Sequence, residues 1–72
     1  MQFYKQNVNY PQRQRDAVYI KHRRQQLGWN ITETAHALGV SPIDIINAEN
    51  PHNVMEQKAL HQIKRKLRQQ VH

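Results

Sequence analysis

The 72-residue chain contains no cysteine, which excludes a disulfide framework and a zinc site built on thiolates. The absence of cysteine fits a reducing compartment, and we expect a cytoplasmic protein. The chain also has no run of the roughly 20 apolar residues that a membrane-spanning helix needs. Residues 1–10 lack the continuous apolar core and the small-residue cleavage site of a secretory signal, so we expect no export signal.

The small size of the chain limits the chemistry that it can perform. Its length is enough for one domain, and such a domain buries only about 60% of its unfolded surface. A core built from few side chains leaves little room for an active site with its supporting residues. The five histidines form no i, i+4 pair of the kind that binds zinc from one helix face. We therefore expect no enzymatic activity, no cofactor and no metal site.

Positive charge is missing from the middle of the sequence. The formal net charge is +6, but all eleven Lys and Arg lie in residues 1–24 or 58–72, and residues 25–57 have none. The acidic residues of this middle segment are Glu33, Asp44, Glu49 and Glu56. The basic ends suggest a polyanionic partner, whereas the middle has the opposite sign.

The N-terminal part of the chain predicts an arm followed by a long helix. Residues 1–12 show no clear period, and we interpret them as a flexible arm or as an extended segment that packs its aromatic side chains on the helices. The folded domain is then expected over residues 13–70. A first helix is predicted from about Pro11 or Gln14 to Leu27 by the helical spacing of one face. That face comprises Arg13, Ala17, Ile20, Arg24 and Leu27.

Two capping signatures predict two short helices in the middle of the chain. Asn30, with Glu33 three residues later, forms an asparagine version of the capping box before a second helix. Ser41 caps a third helix that runs to about residue 49, with Pro42 at its first position and Asp44 at its third. The inward side chains are expected to be Ile31, Ala35 and Leu38 in the second helix, and Ile45 and Ala48 in the third.

A fourth helix is predicted from about Asn53 to Gln69, after the helix-breaking pair at 50–51. Its apolar stripe comprises Val54, Leu60, Ile63 and Leu67. The basic run at 64–68 is either a solvated face or a contact for phosphate or an acidic partner. No strand pattern competes, so the sequence predicts a compact all-α fold of four helices.

The middle of the chain resembles the helix-turn-helix of the lambdoid phage repressor and Cro family, which is XRE-like, over about Ile20 to Asn50. In that family a helix-one arginine, a glycine turn, a polar cap, a helix-two alanine, a turn glycine and a helix-three glutamate follow one another. Those positions are here Arg24, Gly28, Asn30, Ala35, Gly39 and Glu49. The resemblance implies that Arg24 and Glu49 pair, tying helix one to the end of helix three.

The resemblance also implies that the partner is double-stranded DNA. In the family, helix three, here about residues 42–49, enters the major groove, and the N-terminus of helix two binds a phosphate. The implied DNA-binding residues are Pro42, Ile43, Asp44 and Asn47 at the bases, and Asn30, Ile31 and Thr32 at the phosphate. Further phosphate contacts would come from backbone amides or from Arg13, Arg15, Lys21, Arg23 or Lys58. We therefore hypothesise a repressor-like, sequence-specific transcriptional regulator that binds as a homodimer.

Two isoleucines on the outward side of helix three leave a second hypothesis open. Ile43 and Ile46 either contact bases, or contact a protein partner or a second copy, or lie under the N-terminal arm. A protein partner would make the domain an interaction module, antirepressor or antitoxin-like, with little DNA binding of its own. The acidic middle segment favours this alternative.

Overall fold

Four α-helices make up the computed structural model of the protein, which describes residues 10–70. They are α1 (Tyr10–Gln26), α2 (Ile31–Leu38), α3 (Pro42–Ala48) and α4 (Gln57–Gln69). No strand occurs in this part of the chain, and none of its helices is long and apolar enough to cross a membrane. The predicted all-α class with four helices is confirmed.

The first helix begins earlier than expected. Because α1 starts at Tyr10, residues 10–12 are helical rather than part of an arm. Pro11 is tolerated there, since the amides of a first helical turn need no partner within the helix. Residues 1–9 lie outside the described residues, and so does the prediction of an arm over them. The inward face is the predicted one: Ala17 and Ile20 are buried, and Arg13, Arg24 and Leu27 are half-buried.

A three-residue turn, residues 39–41, joins α2 to α3. Gly39 has a φ of 70°, in the left-handed region where an L side chain is strained. The Gly39 amide donates to the His36 carbonyl at 3.2 Å, and the Val40 amide donates to the Ala35 carbonyl at 3.0 Å. These two bonds end α2 and turn the chain toward α3.

Both predicted capping boxes are present. The Asn30 side chain accepts from the Glu33 amide at 2.7 Å, while the Glu33 carboxylate accepts from the Asn30 amide at 2.8 Å. The Ser41 hydroxyl accepts from the Ile43 amide at 3.2 Å, and the Asp44 carboxylate accepts from the Ser41 amide at 3.3 Å. The starts of α2 and α3 are therefore fixed by local hydrogen bonds.

All four helices contribute to one core. Its fully buried side chains are Ile20, Ala35, Leu38, Ile45, Ala48, Leu60, Ile63 and Leu67. Three of these belong to α4, which packs against each of the other three helices. Thr34 is also completely buried, and its hydroxyl donates to the Asn30 carbonyl at 2.9 Å, so no polar atom is stranded there.

The fourth helix begins four residues later than predicted. The link of residues 49–56 is not helical, because the Asn53 amide donates to the Asn50 carbonyl at 3.0 Å and holds the chain in a turn around Pro51. The chain enters α4 only at Gln57. Val54 is 97% exposed, so its predicted place in the apolar stripe is wrong.

Candidate nucleic-acid interface

The outward side of α3 carries two exposed isoleucines. Ile43 is 56% exposed and Ile46 is 46% exposed, and a spacing of three places them on one face. Ile45 and Ala48, on the other side of the helix, are fully buried. The hypothesis that the isoleucines lie under the arm concerns residues 1–9, outside the described part of the chain.

The first turn of α3 offers no side-chain hydrogen-bond donor. Pro42 is exposed at the first helical position and has no N–H group. Asp44 is half-buried, and its carboxylate is folded back on the Ser41 amide at 3.3 Å. A ligand at this end of α3 would therefore meet mainly apolar surface.

The Asn47 carboxamide already has a partner within the chain. Its Oδ1 accepts from Nδ2 of Asn53 in the link after α3, at 2.9 Å. Bidentate pairing with adenine needs the amide oxygen and the amide nitrogen together. Because an amide oxygen has two lone pairs, Asn47 can pair with a base if it shares its Oδ1 with Asn53 or releases Asn53. The motif did not indicate this partner, since Asn53 lies beyond the region of resemblance.

The N-terminus of α2 has an exposed polar surface that includes a carboxylate. Asn30 and Thr32 are exposed, whereas Ile31 packs against the core. A phosphate could thus contact Ile31 only through its backbone amide. Glu33, bonded to the Asn30 amide at 2.8 Å, places negative charge at this helix end. That charge opposes the attraction that a helix N-terminus otherwise has for anions.

The carbonyls at the end of α3 are bound by Arg13 of α1. Its guanidinium donates to the carbonyl oxygens of Asn47 at 2.6 Å, Ala48 at 2.9 Å and Asn50 at 3.1 Å. Burial lowers the pKa of Arg13 from its ordinary value, and the charge of Asp16 acts in the opposite direction. Arg13, which the sequence offered as a phosphate contact, is instead a structural residue that is committed to α3.

Two further helix ends are closed by a cation from another helix. Lys66 of α4 donates to the Leu38 carbonyl at 3.0 Å, at the end of α2. Arg23 of α1 donates to the carbonyl oxygens of Leu67, at 3.4 Å, and Gln70, at the end of α4. A cation there offsets the partial negative charge of a helix C-terminus. Arg23, also predicted at a phosphate, is therefore used internally.

Two ion pairs connect α1 to the rest of the domain. Arg24 donates from Nε and Nη2 to the Glu49 carboxylate at 2.6 and 3.0 Å, and the hydrogen bond to Glu49 raises the pKa of Arg24. This is the pair that the resemblance implies. The Lys64 ammonium lies 2.7 Å from the carboxylate of Asp16, which is 4% exposed. The sequence pattern gave no sign of this second pair.

The exposed cations of residues 10–70 belong to the first and last helices. They are Arg15 and Lys21 on α1, and Lys58, Arg65 and Arg68 on α4. Arg15 also donates to the side chain of Gln12 at 2.8 Å. α2, α3 and the link contain no Lys or Arg and carry the exposed carboxylates of Glu33 and Glu56. Among the described residues, exposed Lys and Arg are thus confined to α1 and α4, and exposed carboxylates to α2 and the link.

No protein-family model, curated protein or solved structure matches this chain. The structure defines a four-helix domain in which a capped two-helix unit, α2 and α3, presents the outer face of its second helix. Since a fold does not by itself specify an activity, the function has to be argued from this surface.

Proposed function

We propose that the protein is a sequence-specific DNA-binding regulator of the helix-turn-helix class, with α3 in the major groove. The supporting observation is the α2–turn–α3 unit, in which both helices are capped, Gly39 makes the turn, and the outer face of α3 remains exposed. An α-helix with its side chains is about 10–12 Å wide, which suits a major groove about 12 Å wide. The resemblance to the repressor and Cro family supports the same assignment.

Base recognition by α3 would be mainly apolar. Ile43 would contact the C5-methyl group of thymine, and Asn47 would pair with adenine, either sharing its Oδ1 with Asn53 or releasing Asn53. Both contacts favour A·T pairs. A homodimer would place two such helices about 34 Å apart, in successive major grooves. Phosphate contacts in this arrangement would come from the α2 backbone amides.

The contrast between Asn47→Ala and Asn53→Ala tests this proposal. Asn47→Ala is expected to weaken binding to a site selected from random duplexes by about 1–3 kcal/mol and to relax the preference at one position. Asn53→Ala frees the Asn47 carboxamide and is expected to keep or increase the affinity for the selected duplex. Fluorescence anisotropy titrations against the selected duplex measure both. If the two variants lose stability alike and keep the wild-type base preference, Asn47 only anchors the link.

A second candidate function is a protein-interaction module, favoured by the isoleucine pair beside acidic groups. Under this hypothesis the double change Ile43→Ser and Ile46→Ser abolishes capture of a partner protein, and capture by the wild type survives high salt. Apolar contacts resist salt, whereas phosphate contacts weaken steeply. Val18→Ser, at another exposed apolar position on α1, is the matched control and should keep capture. Capture that the double change leaves intact would refute this candidate.

A further inference from the structure

The exposed face of α4 is uniformly polar and carries no acidic residue. After the exposed Gln57 at its start, its exposed side chains are Lys58, His61, Gln62, Arg65, Arg68 and Gln69. Steps of three and four residues connect them along one side of the helix. The buried residues Leu60, Ile63 and Leu67 occupy the opposite side. Cations and amide donors therefore form a continuous strip, which we call the α4 strip.

The basic run at 64–68 divides into two kinds of cation. Lys64 and Lys66 flank the apolar side of α4 and are bound to Asp16 and to the Leu38 carbonyl. Arg65 and Arg68 are exposed in the α4 strip and make no ion pair with any residue of 10–70. The internal contacts therefore explain two of these cations and leave the arginines available to a partner.

We propose that the α4 strip binds the phosphate backbone of double-stranded DNA, independently of base sequence. From Lys58 to Arg68 the strip is about 15 Å long, at about 1.5 Å per residue. Each DNA strand carries one charge per about 3.4 Å of helix axis, so the strip faces several phosphates at once. Gln62 and Gln69 add amide donors of the kind that bind phosphate oxygens.

The chemistry of the α4 strip fits DNA better than a lipid surface. A helix that binds a bilayer inserts an apolar face between the headgroups. The apolar face of α4 is buried in the protein core, and the α4 strip contains no exposed apolar side chain. A regular row of charges matches a regular polyanion.

The α4 strip is a surface distinct from the outer face of α3. Ile45 of α3 and Ile63 of α4 are buried in the same core, and the exposed residues Ile43 and Arg65 belong to the outward faces of two different helices. The α4 strip would therefore act whether α3 contacts bases or a protein. The proposal goes beyond the assignment made for α3 and does not depend on it.

The test compares two double variants of the full chain with equal loss of charge. Arg65→Gln with Arg68→Gln removes cations from the α4 strip, and Arg15→Gln with Lys21→Gln removes two from α1. Each is titrated into a mixed-sequence 20-base-pair duplex between about 50 and 200 mM salt. Loss of two phosphate contacts should reduce the slope of log K against log salt by about 1.8 and weaken low-salt binding about tenfold or more. The α1 variant should lose clearly less affinity and less salt dependence than the α4 variant, and lysine at positions 65 and 68 should restore most of the binding.

Three results would overturn the proposal. One is an equal loss of affinity in both double variants, which would make net charge rather than the α4 strip responsible. Another is binding of the wild type to phosphatidylserine vesicles without binding to the duplex. The third is unchanged affinity in the α4 variant. Site selection keeps the two proposals apart, because the α4 variant should retain the base preference that Asn47→Ala relaxes.

Discussion

Replacing Arg13 with alanine is expected to lower the free energy of unfolding by about 2–4 kcal/mol. The Arg13 guanidinium is a donor to three carbonyls at the end of α3, at 2.6, 2.9 and 3.1 Å. A buried acceptor that loses its donor costs about 1–3 kcal/mol, and loss of a cation at a helix C-terminus adds to that. Water reaches the exposed Asn50, so the expected total is smaller than three full penalties. Urea denaturation followed by circular dichroism measures the loss.

The matched control for Arg13→Ala is Arg15→Ala, two residues further along α1. Arg15 is exposed and bonds only to Gln12 among the contacts of residues 10–70, so its removal should change stability by less than about 0.5 kcal/mol. Arg13→Lys keeps the charge but offers fewer hydrogen-bond donors. Its loss of stability should therefore fall between the losses of the two alanine variants. Equal losses in the two alanine variants would show that Arg13 does not hold the end of α3.

The parts of the fold that the sequence predicted correctly depend on near neighbours. The capping boxes of Asn30 and Ser41 form between residues three positions apart. The positive φ at Gly39 is a property of that single residue. Such signals do not depend on how distant helices pack, so local chemistry is enough to place α2 and α3.

The start of α4 was mispredicted because periodicity alone does not show where a turn holds the chain. Val54 is apolar, but it lies six positions before Leu60, and one helix face needs steps of three or four. The Asn53–Asn50 and Asn53–Asn47 bonds keep the link out of a helix, and both depend on the position of α3. To predict where α4 begins, one would have had to know the three-dimensional position of the end of α3.

The internal use of the cations was equally invisible in the sequence. Arg23 and Lys66 have the composition of solvated charges, and Arg13, although on the predicted inward face of α1, was expected at a phosphate. Each of the three closes a helix that is distant in the sequence. Only the packing of α1 and α4 against the other helices brings these side chains to carbonyl groups. The charge of the candidate interface could therefore not be judged from residue counts.

Glu49→Ala is expected to lower the free energy of unfolding by about 3–5 kcal/mol. The Arg24 and Glu49 side chains are only 13% and 10% exposed, so removal of the carboxylate leaves a guanidinium shielded from water without its counter-charge. Arg24 would keep one bond, from Nη1 to the Trp29 carbonyl at 3.0 Å. Chemical denaturation measures the loss, with Glu56→Ala, at an exposed carboxylate, as the control expected within about 0.5 kcal/mol.

Removing both charges should cost far less stability than removing only one. Arg24→Met with Glu49→Leu replaces the pair by apolar side chains, and we expect most of the stability lost in Glu49→Ala to return. If α3 also keeps its orientation, the double variant should retain the base preference of the wild type. A double variant that is stable but binds all duplexes equally would instead show that the ion pair sets the direction of α3. Base preference would then be lost although the fold is kept. A double variant as unstable as Glu49→Ala would contradict the charge argument and indicate that the lost hydrogen bonds dominate.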